Sequence, residues 1–483
     1  MFLKIFPSLK ENKFINFINK ALASPFYIAF VAVMLTISAI FNVGFLFYYI
    51  LICTSIVLPC LLGEDMIGIV PLAIMLNIGI SKQLKEQNEM IFLGKNVIHF
   101  VFVLLLVILF GFGRLIFDLI KEKERRKRFP RLLIGYLTIF IAFLAGGFLF
   151  PDHSYKDVIF GLREFLAIGG FYFYFFYTID FTKMKKSYFA YLLFFFALSV
   201  SSQILVEAIR TGLEQSLLVG WGNRSGLGGT LVACFTGTAY LIIKKKAYIS
   251  WLFALFYVFF LTMICMTQCR GAAFTAIVIS IPCFVLTLVF SDKMTRVSVI
   301  LVVIVYAITM GLMALFDNPL FTKCFGRLFN FDFDTIDDYS TGRIGIWKTG
   351  FDQFIHYPIF GVGWYQIPGL GFPARYHNTA IQVLASTGIV GAIAYLYHRF
   401  ETVFVTFKKP TLEKSFAFIA ILCILVSSLL DCFLFNIWLG FTYSFLLAFI
   451  EGRNRVIKME EEITPPKYQV YQTGGTSIVI INR

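Results

Sequence analysis

An arginine, a histidine and an asparagine stand directly before an apolar run in ARYHNTAIQVLASTGIVGA, residues 374–392. Asn378 is a good helix N-cap, which puts His377 immediately outside a helix N-terminus. The positive end of the helix dipole disfavours imidazolium there, and a neutral ring is the form that a general base requires. The alternative is a boundary histidine that hydrogen-bonds a loop carbonyl. The pattern therefore indicates either an active site or an ordinary polar helix end.

Arginines recur at the ends of other apolar runs. Arg270 lies in TQCRGAAFTAI, where small residues allow a helix or ligand to approach closely, although a snorkelling arginine is the alternative. Arg224 lies in GWGNRSGLGG, whose backbone N–H groups suit an anion, although such segments also serve as simple turns. The set of six is completed by Arg163, Arg210, Arg343 and Arg375. Because the planar arginine fork pairs bidentately with phosphate, these residues favour an anionic ligand.

A long segment between apolar runs, residues 317–377, contains an amphipathic pattern. STGRIGIWKTGFDQFIHYP predicts a helix that begins near Arg343 and carries Trp347 on its apolar face. PIFGVG follows it, and its proline and glycines predict a turn that folds the segment back. The segment is too patterned for a plain linker, so we expect it to contribute to the site.

Four aspartates in FDFDTIDDYS provide an alternative site within the same segment. Carboxylates in a DxD pattern can hold Mg²⁺ or Mn²⁺, whereas the competing interpretation is a solvated acidic loop. We favour the solvated loop and expect neither a metal nor a cofactor. The residues are Asp332, Asp334, Asp337 and Asp338.

The elements that must position these side chains are membrane helices. The chain is 59% hydrophobic and 14% charged, with a mean hydropathy of +0.80, whereas a soluble domain carries about 25% charged residues. We therefore predict an all-α polytopic integral membrane protein. About fourteen spans are expected, at 22–42, 44–62, 65–80, 97–118, 132–150, 158–178, 187–205, 225–243, 248–267, 271–290, 297–316, 378–397, 415–432 and 434–450.

The basic residues predict the orientation of these spans. If KEKERRKRFPR (residues 121–131) is cytoplasmic, alternation places every other basic cluster and both termini inside. The net charge of +14 then reflects membrane topology and not a nucleic-acid partner. The arginines described above fall outside, in the segment 317–377 or at outer helix ends. No removable signal peptide is expected from the first 20 residues.

Two regions follow from this pattern. Residues 1–450 are the transmembrane bundle, with 317–377 as an external catalytic loop. Residues 451–483 are a cytoplasmic tail that we expect to be disordered, although a weak hairpin signal surrounds Gly474 and Gly475. The nine cysteines are scattered singly, so we do not expect a disulfide framework.

Several basic groups and one potential base at an outer membrane surface suit one kind of substrate. It has a diphosphate, an apolar anchor and a hydroxyl acceptor that must lose its proton. The chemistry that fits is glycosyl transfer from a polyprenyl-diphosphate-linked sugar.

The sequence also resembles a known family in the stretch from Arg270 to Ala392. CRGAAF, then TGRIGIWKTGFDQFIHYPIFGVGWYQ, then HNTAIQVLASTGIVGA are similar to the bacterial O-antigen ligase / polysaccharide polymerase superfamily. Members typically show an S-R-G-like turn, R-x-x-x-W, a proline, G-x-G, and H-N before a small-residue membrane helix. The order and spacing of these elements carry the resemblance.

The resemblance implies an inverting, metal-independent glycosyltransferase with the membrane fold of enzymes that use lipid-linked sugars. It would act on undecaprenyl-diphosphate-linked oligosaccharide at the outer face of the bacterial cytoplasmic membrane. His377 would correspond to the base and Arg270 to the diphosphate-binding arginine. A chain-length regulator and a flippase are the protein partners expected with it. The remaining substrate-binding and supporting residues would be Arg343, Arg224, Arg210, Arg375, Asn378 and Trp347.

Four interpretations of the function compete, and one of them is a non-enzymatic assembly protein whose basic tail binds a partner. We predict an O-antigen or capsular polysaccharide polymerase, because the chain has more spans than a ligase is expected to have. A ligase that moves finished glycan to lipid A–core or to a protein shares the motifs, and the acceptor would distinguish it. A lipid-linked oligosaccharide flippase needs charged groups along a cavity through the bilayer, and Arg114 is the main charge inside a span.

Overall fold

The chain folds into a bundle of apolar helices that ends in a two-stranded hairpin. The computed structural model describes residues 12–41, 46–76, 78, 96–121, 129–151, 155–211, 224–319, 321–322, 325–326, 342–363, 375–432, 437–463, 467–473 and 476–482. The helices are α1 Lys13–Leu22, α2 Pro25–Phe41, α3 Leu46–Ile52, α4 Leu58–Leu62, α5 Asn96–Leu106, α6 Gly113–Lys121, α7 Leu133–Leu149, α8 Tyr155–Thr178, α9 Tyr188–Thr211, α10 Arg224–Lys244, α11 Ala247–Met266, α12 Arg270–Phe290, α13 Lys293–Leu315, α14 Arg343–His356, α15 Thr379–Phe407, α16 Leu412–Ser427 and α17 Ile437–Ile463. Strands β1 Lys467–Thr473 and β2 Thr476–Asn482 follow, and π-helical turns at Cys53–Val57 and Val107–Phe112 join α3 to α4 and α5 to α6.

Seven of the described helices are long and apolar enough to cross a membrane. They are the continuous run Val101–Lys121 and helices α9, α10, α11, α12, α13 and α15. The pair α1 and α2, bent by 63°, would make an eighth span. The chain is thus a multi-pass membrane protein, as predicted, but the number fourteen is not confirmed. Predicted spans at 132–150 and 415–432 correspond to the shorter helices α7 and α16, of 17 and 16 residues.

Helix α10 lies at the centre of the bundle, and small residues let its neighbours approach. Every residue from Leu227 to Ile242 is buried. A Cβ added at Gly237 would lie 2.6 Å from the carbonyl oxygen of Ala190 in α9, and one at Gly228 would lie 2.6 Å from Cβ of Ala272 in α12. These contacts require glycine, because helix backbones this close leave no room for a side chain. The site residues at the start of α10 are therefore held rigidly against α12.

A break in α15 receives the segment that follows α14. Gly388 has φ 60° and ψ −158°, so the helix is interrupted there and its neighbouring backbone groups lose their partners. Residues 358–363 lie in the break and form backbone hydrogen bonds that replace the missing ones within the helix. The bonds run from the N–H groups of Ile389 to Pro358 O (2.8 Å), Val390 to Ile359 O (3.3 Å), Val362 to Ala385 O (2.9 Å) and Gly363 to Ser386 O (3.0 Å).

This insertion explains why glycine is required at position 361 of PIFGVG and at position 388 of α15. Gly361 has φ 68°, and a Cβ there would lie 2.4 Å from the carbonyl oxygen of Ala385. At Gly388 a Cβ would lie 2.3 Å from the carbonyl oxygen of Ile359. Both positions need a left-handed backbone and empty space, which glycine alone provides at low cost. The predicted turn thus connects α14 to α15 through backbone hydrogen bonds.

Arg114, the main charge inside a predicted span, holds the end of a neighbouring helix. It is fully buried in α6, and its Nε donates to Asp118 Oδ1 at 2.9 Å. Its other nitrogens donate to carbonyls at and after the end of α4, where a helix leaves its carbonyls without partners. The acceptors are the carbonyl oxygens of Pro59, Cys60, Gly63 and Glu64. These bonds give Arg114 a structural role.

The last helix continues beyond residue 450, where the final span was predicted to end. Arg453 in this extension forms a buried ion pair with Glu413, 3.3 Å from Nη2 to Oε1. Asn454 donates to the carbonyl oxygen of Val405 in α15. Beyond α17, β1 and β2 pair antiparallel with Lys467 opposite Asn482. Within residues 451–483, the structure thus has helix as far as Ile463, followed by the hairpin of β1 and β2.

Candidate functional site

Residues 428–432, which directly follow α16, form a turn that contacts the start of α15; we call it the 428–432 turn. Asn378 Oδ1 accepts from the N–H groups of Ala380 (2.9 Å) and Ile381 (3.2 Å), which makes Asn378 the N-cap that the sequence predicts. Its Nδ2 donates to the carbonyl oxygen of Leu429 at 2.9 Å. The N–H of Thr379 donates to the carbonyl oxygen of Ser428 at 2.8 Å. The cap thus orients the helix start and also fastens it to the turn.

His377 pairs with Asp431 across this junction. Nδ1 of the ring lies 3.0 Å from Asp431 Oδ1, and the two side chains are 41% and 12% exposed. The N–H of Cys432 donates to the same oxygen at 2.8 Å. Because an ionised carboxylate only accepts hydrogen bonds, Nδ1 carries the proton and Nε2 of the neutral ring is the acceptor nitrogen. A half-exposed, oriented histidine of this kind can act as a general base.

The electrostatic surroundings keep Asp431 ionised. Burial by itself would raise the pKa of this carboxyl group. The hydrogen bond from His377, the charge that this ring carries when it is protonated, the N–H of Cys432 and the guanidinium of Arg343 act in the opposite direction, and together they hold the pKa of Asp431 below its usual range. The carboxylate is therefore a permanent partner for the histidine at neutral pH.

Arg343 lies where α14 begins, and it joins three parts of the site. Its Nη1 donates to the carbonyl oxygen of Leu430 in the 428–432 turn. Its Nη2 lies 3.4 Å from Oγ of Ser225, the second residue of α10. The predicted loop arginine is thus brought into the cluster, but much of its hydrogen-bonding capacity is directed at the protein itself. It acts as a fixed positive charge beside Asp431.

Arg270 and Arg224 are the first residues of α12 and α10, and both helix starts lie against the same cluster. Gly271 packs on Leu430, since a Cβ there would lie 3.0 Å from Leu430 Cδ1. Cys269 Sγ lies 3.9 Å from Ser225 Oγ, which follows Arg224 directly. Arg270 and Arg224 are both partly exposed. The start of α12 therefore contacts the turn that carries Asp431, and the start of α10 lies beside the start of α12.

Four helix N-termini consequently meet around the 428–432 turn, those of α10, α12, α14 and α15. We call this side of the bundle the site face. The N-terminus of a helix bears a partial positive charge and N–H groups without intrahelical partners. Three of the four helices also begin with arginine: Arg224, Arg270 and Arg343. Such an arrangement is suited to anions, and phosphate groups are among those that helix N-termini and arginines bind.

The other predicted residues differ in how closely they join this cluster. Arg375 lies two residues before His377 and is partly exposed. Arg210 is exposed in the last turn of α9, and no hydrogen bond or ion pair among the described residues connects it to the cluster. Trp347 lies one turn after Arg343, and its buried Nε1 has no partner in the described part of the chain. The alternative metal site, with Asp332, Asp334, Asp337 and Asp338, lies outside the described residues.

Sequence reasoning missed Asp431 and Ser225. Asp431 could have been identified from the sequence, because it is the one charged residue between 415 and 450. An ionisable residue in so long an apolar stretch indicates a functional role by default. Ser225 had no comparable signal, since a serine near a helix start usually serves as a cap or faces water.

Comparison with known families agrees with the resemblance. Residues 253–396 match the family described as O-Antigen ligase. The match includes Arg270, Arg343 and His377 and ends before Asp431. No curated protein matches the chain. The predicted relationship to the O-antigen ligase / polysaccharide polymerase superfamily is thus confirmed through this segment.

Proposed function

We propose that this multi-pass membrane protein of the O-antigen ligase type is a polysaccharide polymerase. It would transfer a glycan from undecaprenyl diphosphate to a sugar hydroxyl of a second lipid-linked repeat unit. The observation that carries the proposal is the His377–Asp431 pair among four helix N-termini, three of which begin with arginine. This combination supplies one base and a concentrated positive field, which are the two requirements of a glycosyl transfer with a diphosphate leaving group.

In the proposed reaction, Nε2 of His377 takes the proton from the acceptor hydroxyl. The hydroxyl oxygen forms a bond to the anomeric carbon while the bond from that carbon to the diphosphate oxygen breaks. The diphosphate departs with the electron pair, and the single displacement inverts the anomeric centre. Asp431 stabilises the imidazolium that forms, the role that the carboxylate plays in a catalytic triad. No step requires a metal ion.

The arginines stabilise the charge that develops on the departing diphosphate, which can be the largest catalytic contribution. Arg270 and Arg343 would lie nearest the phosphates, with Arg224 and Arg375 at the rim and Arg210 at the periphery. Because Arg343 already donates to Leu430 O and contacts Ser225, we assign it a fixed positive charge. We assign direct phosphate contacts to Arg270 from its place at the partly exposed start of α12.

The basic residues support an outward-facing site. Helices α10 and α12 begin with arginine on the site face, whereas α10 ends at Lys244 and α13 begins at Lys293 on the opposite side. Lysine-rich ends mark the cytoplasmic side of membrane proteins. The site face would then lie at the outer surface of the bacterial cytoplasmic membrane, where lipid-linked glycan is assembled.

A ligase is the second candidate, and the description of the matching family favours it. In that case the acceptor is lipid A–core or a protein, while the donor and the base stay the same. The two functions differ only in the acceptor that reaches His377.

An extension assay with purified protein in detergent tests the proposal. Lipid-diphosphate repeat unit is supplied with a chelator, and His377→Ala and Arg270→Ala are compared with wild type. We expect glycan ladders from wild type and a loss of at least about 10²-fold in both variants. His356→Ala is a matched control, because His356 is an exposed histidine at the end of α14 that contacts the carbonyl oxygen of Asp352.

The other outcomes of this assay identify a ligase or contradict a part of the proposed mechanism. Product that forms only after lipid A–core is added identifies a ligase. Ladders that persist in His377→Ala contradict the assignment of the base, and ladders that require Mg²⁺ contradict the metal-independent mechanism and direct attention to the four aspartates.

A further inference from the structure

Gln382, one turn into α15, contacts both chain segments that carry the proposed catalytic pair. Its side chain is fully buried. The amide oxygen accepts a hydrogen bond from the N–H of Tyr376 at 3.0 Å, and the Sγ of Cys432 lies 3.5 Å from the same oxygen. Tyr376 directly precedes His377, and Cys432 directly follows Asp431. One atom therefore contacts a neighbour of each member of the pair.

We infer that Gln382 is a positioning residue that holds His377 and Asp431 in register through its amide oxygen. The inference rests on the proposed function, since it concerns the geometry of the proposed base. The other ties between the two segments, through Asn378 and Thr379, reach residues 428 and 429, before Asp431. Gln382 reaches past Asp431 to Cys432, so it limits rotation of the carboxylate away from the ring.

The amide itself is held in one orientation. Its Nε2 donates to Oγ of Ser386 at 2.8 Å, one turn further along α15. An amide that is fixed at its nitrogen end presents its oxygen in a fixed direction, because the group is planar. The backbone of Ser386 also accepts the N–H of Gly363 from the inserted segment 358–363. The positioning contact is thus connected to the break in α15.

Tyr376 needs this contact because of its backbone and its surroundings. The next residue, His377, has φ 51°, a left-handed conformation that a non-glycine residue adopts at a cost. The Tyr376 ring is buried, and its hydroxyl donates to Gln353 of α14. With the ring held by α14 and the N–H held by Gln382, the backbone keeps the left-handed turn that presents the imidazole to Asp431.

Gln382→Met tests the role, because methionine has a similar length and volume but no strong hydrogen-bond acceptor. In the extension assay we expect kcat to fall about 10- to 100-fold with little change in KM, since a loosely placed catalytic group loses rate and not binding. The acid limb of the pH–rate profile should move to lower pH, because an imidazolium without its carboxylate partner is less stable. A purely structural role would lower the yield of folded protein without moving this limb.

A second variant and a control isolate the amide oxygen. Ser386→Ala removes the partner of Nε2, so the amide oxygen is held less firmly and the acid limb should move in the same direction as in Gln382→Met, but by less. Gln203→Met makes the same substitution at a buried glutamine of α9 and should leave both kcat and the pH profile unchanged. If Gln382→Met is folded and has the kcat and pH profile of wild type, the inference is overturned.

Two comparisons keep the inference separate from the proposed function. Wild-type protein without activity, or His377→Ala with full activity, contradicts the proposed function. An inactive His377→Ala beside a fully active Gln382→Met contradicts the inference alone. If Gln382→Met does not fold, Ser386→Ala decides, because it loosens the amide without changing Gln382: an acid limb that moves to lower pH supports the inference, and a folded protein with the kcat and pH profile of wild type overturns it.

Discussion

Asp431→Asn is the sharpest test of the proposed site. Asparagine has nearly the same shape and keeps an oxygen that can accept from His377 Nδ1 and from the N–H of Cys432. The substitution therefore removes the negative charge while the hydrogen bonds can persist. If the carboxylate stabilises an imidazolium during the reaction, the rate must fall even though the resting structure is preserved.

The size of the effect follows from the distance and the exposure of the pair. Two unit charges about 4 Å apart attract by about 1 kcal/mol in water and about 4 kcal/mol at an effective dielectric constant of 20. With His377 41% exposed and Asp431 12% exposed, the pair lies between these limits. We take about 2 kcal/mol, which corresponds to a roughly 30-fold loss in kcat.

The assay is multiple-turnover extension of the lipid-linked repeat unit at neutral pH, with Asp352→Asn as a control on an exposed aspartate of α14. We expect a roughly 30-fold lower kcat for Asp431→Asn and wild-type kinetics for the control. A folded Asp431→Asn with wild-type kcat, beside an inactive His377→Ala, would refute the electrostatic role of the carboxylate. A loss as large as that of His377→Ala would indicate that the amide also misorients the ring.

Three further predictions follow from the same contacts. Arg343→Lys should lower kcat about tenfold in the extension assay, because a lysine supplies a point charge that cannot reach both partners of the guanidinium; wild-type kinetics would count against its place in the site. Gly388→Ala should lower the melting temperature by several degrees, since a Cβ clashes at φ 60°, whereas Gly311→Ala, with nothing within 4 Å of the added Cβ, should not. Folding lowers the pKa of Asp431, so the contribution of this carboxylate to stability is present above its ordinary pKa of about 3.9 and is lost as pH falls through the lower folded value. The melting temperatures of wild type and Asp431→Asn should therefore converge in acid. A difference that stays constant with pH would contradict this assignment.

Local patterns in the sequence were sufficient to predict the helix starts. Asn378 is an N-cap, α14 begins at Arg343, and α12 begins at Arg270, because capping residues, apolar periodicity and turn residues act over a few positions. The membrane class followed from composition alone. The number of spans did not, because an apolar segment can form a short or bent helix inside a bundle as readily as a complete crossing.

Contacts between distant segments were not predictable in the same way. His377 and Asp431 are 54 residues apart, and their distance depends on how α16 returns to the start of α15. The insertion of residues 358–363 at Gly388 was equally hidden, because a glycine within a small-residue helix usually signals close packing and not a break. Asp431 can be recognised in the sequence as an isolated charge, but its pairing with His377 cannot.

The position of Asp431 also explains how a cluster of positive groups can persist in the absence of substrate. Four helix N-termini and three arginines around one turn repel one another, and an anion beside them reduces that repulsion. Asp431 supplies one negative charge from the protein, and the carbonyl oxygen of Leu430 accepts from Arg343. These groups offset part of the positive charge, and the remainder is available to a diphosphate. The same carboxylate thus offsets positive charge in the site and orients the base, so its loss should weaken folding and catalysis together.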